Sequence, residues 1–244
     1  MQGSVGRGIR RRVRRAVTWR PTRAGTDPVD IAELIAPLRF DVVVRARFLD
    51  WLEPRLDDDP VATARQALDH EYAAWFRHIE VARFRPHLAS DEVALRTAYG
   101  DRVGRTATLL RSYLVRGFDP SHPVTLRRTS SARTADSGLL VAKTLHVGDG
   151  AHRLALLLRD GLPLQPEMYV VEPRPMPVID NTSVLVRHLD VGAGEYASFL
   201  APWYAAGRVA SLAGLEAAVG EGAPERVAEL RAVMRTHLAA GVRS

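Results

Sequence analysis

The stretch VGDGAHRLALLLRDG, residues 147–161, decides how the rest of this sequence is interpreted. The residues that precede it predict a strand over residues 139–147, and the apolar run within it predicts a helix that ends near Gly161. Between them, Asp149-Gly150 is a typical turn pair. The stretch therefore predicts a strand that leads through a glycine turn directly into a helix.

A helix that starts in this way is a candidate anion site. The first amides of a helix have no intrahelical partner, and the helix dipole adds positive potential there. The candidate phosphate-binding residues are Gly150, Ala151, His152 and Arg153, because a guanidinium in the first turn can hold phosphate oxygens. Asp149 could accept a proton from a hydroxyl or bind Mg²⁺, although capping the helix is an equally good role for it. Taken alone, the five residues also fit an ordinary helix start.

The composition is that of a globular protein with a sizeable core. The chain has 244 residues, of which 46% are hydrophobic and 25% charged, and it has no cysteine. The lack of cysteine excludes disulfides, thiolate metal sites and cysteine nucleophiles, and it is consistent with a cytoplasmic location. We find no apolar run long enough for a transmembrane segment and no apolar core of a secretory signal, so we expect neither.

The net charge of +6 is concentrated at the N-terminus. Residues 1–26 carry eight arginines and no acidic residue, which leaves 26 basic and 28 acidic residues in the rest of the chain, a net charge of −2 there. A DNA-binding domain usually carries its positive charge on its folded face. The Arg-rich tail predicts either an unstructured arm or a basic amphipathic helix that contacts an anionic membrane surface or nucleic acid, which would make the protein peripheral to a membrane.

Most of the remaining sequence predicts helices. Residues 40–52 fit either a strand or a helix, and Asn181-Thr182-Ser183 is typical of a polar turn. The clearest helix covers residues 91–116 and stops at Gly117. Further helices are predicted at residues 27–36, opening with Asp27-Pro28 as cap and first turn, at residues 61–76 and from residue 195 onward. Further strands are predicted at residues 79–84, 124–128 and 167–172.

This order of elements resembles the ParB/sulfiredoxin fold over residues 76–172. The resemblance is sharpest at residues 117–124 and in the Asp-Gly-Ala-His-Arg box with its helix. It implies an α+β fold with a small mixed-sheet core and helical additions at both ends. The implied organisation is an Arg-rich tail at 1–26, a mostly helical extension at 27–75, the ParB/sulfiredoxin-like core at 76–173 and a mainly helical segment at 174–244.

The box separates the branches of that superfamily. Sulfiredoxins need a cysteine beside the His-Arg pair, and Ala151 stands there instead, so sulfiredoxin chemistry is excluded. Chromosome-partition proteins carry a Gly-Glu-Arg-Arg type of box and a following helix-turn-helix, neither of which is evident. The box is most similar to the Asp-Gly-His-His-Arg box of the free serine kinases. That resemblance implies that Asp149 is the catalytic base and that His152 and Arg153 hold the phosphates of ATP, ADP or CTP, with Mg²⁺.

One feature of the kinase pattern is missing. Those kinases have a glutamate directly after a Pro-His pair, whereas Leu88 follows Pro86-His87 here. The nearest carboxylates are Asp91 and Glu92. Either one of them substitutes for the glutamate, or the protein binds a phosphorylated ligand without transferring phosphate.

Two further residues are candidates because of their position. His122, in the turn before the strand at 124–128, would face the same edge as the box, and Lys143 lies in the strand that leads to it. The expected function is that of a nucleotide-binding phosphotransferase acting on a small-molecule hydroxyl acceptor. The alternative is a non-catalytic nucleotide or phospholigand-binding regulator that contacts DNA or a membrane through residues 1–26.

Overall fold

The computed structural model describes residues 23–129, 134, 138–141, 144–173, 178–205 and 207–241. Lys143 and residues 1–22 of the Arg-rich tail, and with them the predicted tail contacts, lie outside this described part. Its helices are α1 (Ile31–Ile35), α2 (Phe40–Leu52), α3 (Pro60–Gln66), α4 (Glu71–Trp75), α5 (Ala82–Phe84), α6 (Glu92–Arg116), α7 (Ala151–Arg159), α8 (Asn181–Leu185), α9 (Ala193–Tyr204), α10 (Leu212–Gly222) and α11 (Val227–Ala239). Short 3₁₀ turns connect several of them.

Helix α2 lies at the centre of the molecule and is buried on almost every side. Its thirteen residues contain no glycine or proline, and an apolar run of that length forms a buried helix more readily than a strand. It packs most extensively against α7 and also contacts α4 and α8. The stretch whose sequence fitted either a strand or a helix is therefore the helix around which the others are arranged.

The sheet has four strands in the order β1-β4-β2-β3. Strand β2 (Val124–Arg128) pairs antiparallel with β3 (Leu145–Asp149) and parallel with β4 (Tyr169–Glu172). The two-residue strand β1 (Arg23–Ala24) adds to the outer edge of β4 in antiparallel orientation. A small mixed sheet surrounded by many helices confirms the predicted α+β class.

The glycine turn and the helix after it form where the sequence predicts them, but the strand before the turn covers Leu145–Asp149 and not residues 139–147. Strand β2 has the predicted bounds, and β3 leads through Gly150 directly into α7. Helix α6 is capped at its start by the carboxylate of Asp91, which accepts from the amides of the second and third residues that follow it. Gly117 ends the helix with a φ of 71°, which glycine adopts at little cost.

The predicted strand at residues 79–84 is wrong. The chain there continues from α4 as a π-helical segment, Phe76–Val81, and then as α5. Ile79 and Val81 are both buried while the residue between them is partly exposed, so their spacing of two imitates a strand. Packing of this segment against α4 and α8 decides in favour of the helix.

The predicted cap at Asp27-Pro28 is also wrong. Helix α1 begins at Ile31, and Asp30 is its N-cap, with its carboxylate 2.8 Å from the amide nitrogen of Ala32. An aspartate two or three residues before the amides that it accepts from is the usual capping geometry, and Asp30 meets it.

The predicted polar turn at residues 181–183 is instead the start of α8. Asp180 caps this helix, and the three polar residues are buried. The amides of Asn181 and Thr182 both donate to the carbonyl of Leu38, and the Thr182 hydroxyl accepts from the amide of Phe40. Hydrogen bonds to the start of α2 therefore allow these polar groups to lie inside the protein.

One continuous hydrophobic core connects all of these segments. It contains residues from α1 and α2, from the sheet, and from α9 and α11 near the C-terminus. Within the described part of the chain, no helix is both long and apolar enough to cross a membrane.

Candidate anion-binding site

The N-terminus of α7 is a glycine turn without a side-chain cap. Gly150 has a φ of 89°, in the left-handed region, and its carbonyl accepts from the amide of Leu154 to begin the helix at 3.0 Å. Among the described residues, no side chain caps the start of α7, whereas an aspartate caps α6. Three helix amides without a side-chain acceptor are the geometry in which a helix binds an anion.

A β-bulge turns Asp149 outward at the end of β3. The strand ladder pairs Thr125 with Asp149 and then skips Gly148. A Cβ atom on Gly148 would lie 2.6 Å from Nε of Arg127, so a larger residue there would require the Arg127 side chain to move. Bulges commonly re-aim a side chain beside a functional site. The Asp149 side chain is 82% exposed, which leaves its carboxylate free to meet a ligand.

Arg153 lies over the glycine turn, with part of its guanidinium already bonded. Its Nη1 donates to the carbonyl of Pro123 at 2.8 Å and to that of His122. Its Nη2 lies 3.8 Å from the carboxylate of Asp149. Arg153 thereby fastens the turn before β2 onto α7. Its Nε and Nη2 are the donors that remain for a phosphate beside the free amides.

His122 lies next to the box, as predicted, but through its backbone carbonyl. Its ring is 75% exposed, with Nδ1 3.0 Å from Oδ2 of Asp119. Hydrogen bonds from the Ser121 hydroxyl and from His122 lower the pKa of Asp119 to about 2. The turn thus presents an exposed histidine and an ionised carboxylate at the edge that Arg153 secures.

The ring of His152 points into the protein. Its Nε2 lies 2.7 Å from the hydroxyl of Tyr72, and its ring meets the Trp75 ring edge-on with centroids 5.4 Å apart. Burial, followed by the positive charges of Arg45 and Arg102, holds the pKa of His152 far below its usual range. The neutral ring belongs to the core, so only the backbone amide of His152 remains a candidate phosphate contact.

Two arginines lie close to the ring of Trp75. The Arg45 guanidinium lies 4.1 Å from the centre of its ring, and that of Arg102 lies 6.0 Å away and pairs with Glu80. Contacts of this kind between arginine and an aromatic face are favourable, especially away from water. The two guanidinium groups therefore hold the Trp75 ring that lies against His152.

Asp41 is a fully buried carboxylate between two arginines. Arg39 donates to it through Nε at 2.8 Å, and Arg45 pairs with it from the next turn of α2. Although burial alone would raise it, these two cations hold the pKa of Asp41 far below its usual range. Arg39 also donates to the carbonyl of Val147 in β3 at 2.9 Å. The trio thus connects α2 to the strand that carries the site.

Sequence reasoning missed this network, although one pattern could have revealed it. Asp41 and Arg45 are four residues apart on a helix, which is the spacing of a same-face ion pair. When the rest of such an apolar helix is buried, the ion pair that it contains is buried too. The aromatic partners Tyr72 and Trp75 come from α4, and nothing local in the sequence connects them to the box.

The predicted supporting carboxylates, Asp91 and Glu92, are not brought to the turn. Asp91 caps α6, and Glu92 pairs with two exposed arginines. Helix α6 reaches the residues behind the site at Thr106, whose hydroxyl is 3.1 Å from that of Tyr72, and at Arg102, which lies beside Trp75. The fourteen residues between Glu92 and Thr106 correspond to about 21 Å of helix rise. Neither carboxylate therefore takes the place of the glutamate that the serine kinases have at the position of Leu88.

Asp149 is therefore the carboxylate that the box itself offers to a metal ion. Among the described residues, no group of three or more histidine, aspartate or glutamate side chains could hold a metal. Mg²⁺ that binds with a nucleotide usually takes one or two carboxylates and completes its shell with phosphates and water. A single exposed aspartate fits a Mg²⁺ ion that is bound together with a nucleotide. It does not fit a metal site built from protein ligands alone.

No protein-family model matches the sequence. No curated protein and no solved structure is significantly similar to the chain. The function is therefore inferred from the geometry of the α7 turn and from the resemblance of its box.

Proposed function

We propose that the protein binds a nucleotide through its phosphates at the N-terminus of α7 and transfers a phosphoryl group to a small hydroxyl-bearing molecule. The observation that carries the proposal is the uncapped glycine turn, with the amides of Ala151, His152 and Arg153 beside an exposed Asp149. Free amides favour phosphate, and the adjacent carboxylate favours a reacting hydroxyl. The similarity to the serine-kinase box supports this combination.

The reaction gives each group of the site a role, and Asp149 has two. The acceptor hydroxyl attacks the terminal phosphorus, Asp149 takes the hydroxyl proton, and the shortened nucleotide leaves with the electrons of the broken P–O bond. The amides of α7 and the Nε and Nη2 donors of Arg153 bind the phosphate oxygens. Mg²⁺, held by the phosphates with Asp149 as the available carboxylate, would neutralise phosphate charge when it is bound.

A non-catalytic role is the second candidate. Asp91 and Glu92 lie about 21 Å along α6 from Thr106, so Asp149 works without the second carboxylate of the kinase pattern. A protein with this arrangement can bind a nucleotide or another phosphorylated ligand as a regulator without transferring phosphate.

Transfer and binding are separated by one set of measurements. We expect calorimetry to show saturable binding of ATP, ADP or CTP with Mg²⁺, and labelled phosphate to appear on at least one member of a panel of hydroxyl-bearing metabolites. Asp149→Asn should bind the nucleotide and transfer nothing, whereas Arg153→Gln should weaken binding about tenfold or more. Asp101→Asn removes an exposed carboxylate of α6 and is the matched control.

Each outcome selects one of the two candidates or rejects both. Nucleotide binding without transfer to any acceptor favours the regulator. Absence of binding to all three nucleotides, in a protein that is folded by circular dichroism, rejects a nucleotide site at α7. Transfer that persists in Asp149→Asn rejects Asp149 as the base.

The Arg-rich tail is proposed to bring the protein to an anionic surface, a membrane or nucleic acid, in a cytoplasmic setting. Removal of residues 1–22 keeps β1 and so keeps the edge of the sheet. If the tail is the contact, salt-sensitive binding to anionic vesicles or to DNA disappears in the truncated protein while nucleotide binding is retained. Equal binding of both forms would place the contact on the folded body.

A further inference from the structure

A cavity lies on the side of α6, between that helix, the end of α2 and the start of α3. Its volume is about 260 Å³. Its apolar wall includes Leu52, Leu56 and Val103, and none of its lining residues belongs to α7 or to the turn that precedes it. The cavity is therefore separate from the proposed nucleotide site.

Two glycines of α6 open this cavity. Gly100 and Gly104 are one helical turn apart and both line it. A Cβ atom on Gly104 would meet no other atom within 4 Å, and one on Gly100 would only reach ordinary contact with Ala64, at 3.7 Å. Close helix packing therefore does not require these glycines. Glycine inside a helix costs stability relative to alanine, so the space that they leave needs another explanation.

Thr63 lines the same cavity, and its hydroxyl has no hydrogen-bond partner. Thr63 is only 5% exposed, and its Oγ1 is buried and makes no hydrogen bond. Threonines elsewhere in the helices, such as Thr97 and Thr108, donate to the carbonyl four residues before them. A buried hydroxyl that is left unpaired destabilises the folded protein, and an acceptor or donor placed in the cavity would satisfy it.

Two arginines at the cavity are held in position but not neutralised. Arg55 lies over the Trp51 ring at 4.4 Å and donates Nη1 to the Trp51 carbonyl at 2.6 Å, and Arg111 donates Nη2 to the carbonyl of Leu56. Within the described residues, neither guanidinium makes an ion pair. Asp58 is the acidic residue in the lining, so the lining has a net charge of +1.

We propose that this cavity binds a small organic monoanion, namely a carboxylic acid with a compact apolar body. Arg55 and Arg111 would hold the carboxylate through their remaining donors, because a fixed guanidinium recognises a carboxylate well. The apolar body fills the space above Gly100 and Gly104, and a polar oxygen of the ligand meets the hydroxyl of Thr63. A mostly apolar cavity with a few convergent polar groups is the usual form of a small-molecule site.

The test uses the full chain, with hexanoate and benzoate as probes and hexanamide as the uncharged control. Ligand-observed NMR should show saturable binding of at least one acid, with an affinity about tenfold or more above that of the amide. Gly104→Leu fills the space without a clash at Cβ and should abolish binding. Arg111→Gln should weaken it about tenfold. Arg105→Gln removes the same charge from α6 outside the cavity lining and should bind as the wild type does.

The hydroxyl contact is tested separately by Thr63→Val, which keeps the shape of the side chain. This variant should raise the melting temperature of the free protein, because an unpaired buried hydroxyl is removed, and should lower the affinity for the acid. Loss of binding in Gly104→Leu supports the proposal only if the melting temperature of the variant is at or above that of the wild type. If the variant does not fold, the affinities of Arg111→Gln and Arg105→Gln for the acid are compared instead. Absence of saturable binding by both acids, or equal affinities for acid and amide, would overturn the proposal.

Discussion

The hydroxyl of Tyr72 lies 2.7 Å from Nε2 of His152, which connects α4 to the first turn of α7. The same hydroxyl lies 3.1 Å from that of Thr106 on α6. Three helices therefore meet at one phenolic oxygen directly behind the candidate anion site. Because Tyr72 is fully buried, its pKa is raised to about 12, and the phenol remains protonated.

Replacing Tyr72 by phenylalanine should destabilise the protein by about 1–3 kcal/mol, because the His152 ring is left without its hydrogen-bond partner. Denaturant unfolding followed by circular dichroism measures the change. Tyr113→Phe is the matched control, since its hydroxyl bonds to Asp160 near the surface, and we expect it to change the stability by no more than about 0.5 kcal/mol. Equal losses in the two variants would contradict the special position of Tyr72.

Acidification should destabilise the folded state through His152. Burial depresses its folded-state pKa below the ordinary value of 6.5, so the unfolded chain takes up the proton first. The contribution is complete above pH 6.5 and is lost as the pH falls below it, by up to about 1.4 kcal/mol per pH unit. Urea unfolding between pH 7 and 5 should show the loss, and His152→Phe should show a shallower dependence. A histidine NMR titration that places the ring midpoint at or above 6.5 would disprove the explanation.

The carboxylate of Asp41 should be among the most costly charges to remove. Asp41→Asn leaves Arg39 and Arg45 without their counter-charge inside the core, which typically costs about 3–5 kcal/mol. Thermal and denaturant unfolding provide the measurement. Glu92→Gln removes a carboxylate from an exposed ion pair and should have no measurable effect. A loss in Asp41→Asn no larger than in that control would show that the arginines find other partners.

Gly150→Ala tests the backbone of the proposed phosphate turn. Gly161 has a similar positive φ of 66° but open space around it. Gly161→Ala should therefore lower the free energy of unfolding only by the cost of the left-handed conformation, about 1–2 kcal/mol. At Gly150 a Cβ atom would also lie 3.1 Å from Cα of the buried Val124, which should add about 1 kcal/mol or more. Calorimetric melting of both variants compares the two costs. Equal losses of stability in the two variants would show that β2 moves to make room for the methyl group at position 150.

The elements next to the site were predictable because their signals are local. A glycine turn and the amphipathic run after it define α7, and Asp91 and Gly117 mark the ends of α6, whereas the bounds of β3 were predicted too early in the chain. These signals require no knowledge of what packs against each element.

The errors arose where packing overrides local pattern. The segment Phe76–Val81 has strand-like spacing and becomes helical through its neighbours. The orientation of the His152 ring depends on Tyr72 and Trp75, eighty and seventy-seven positions away. Likewise, Asn181 and Thr182 look like turn residues until the carbonyl of Leu38 is available to receive their amides.

The hydrogen bonds between Leu38 and Thr182 also have a consequence for biosynthesis. The start of α2 cannot acquire these partners until α8 has left the ribosome, 144 residues later. At about 5–20 residues per second, the growing chain waits roughly 7–30 s with this buried helix incompletely covered. We therefore expect chaperones to bind α2 during this interval, and we expect the speed of translation to influence how much of the protein folds correctly.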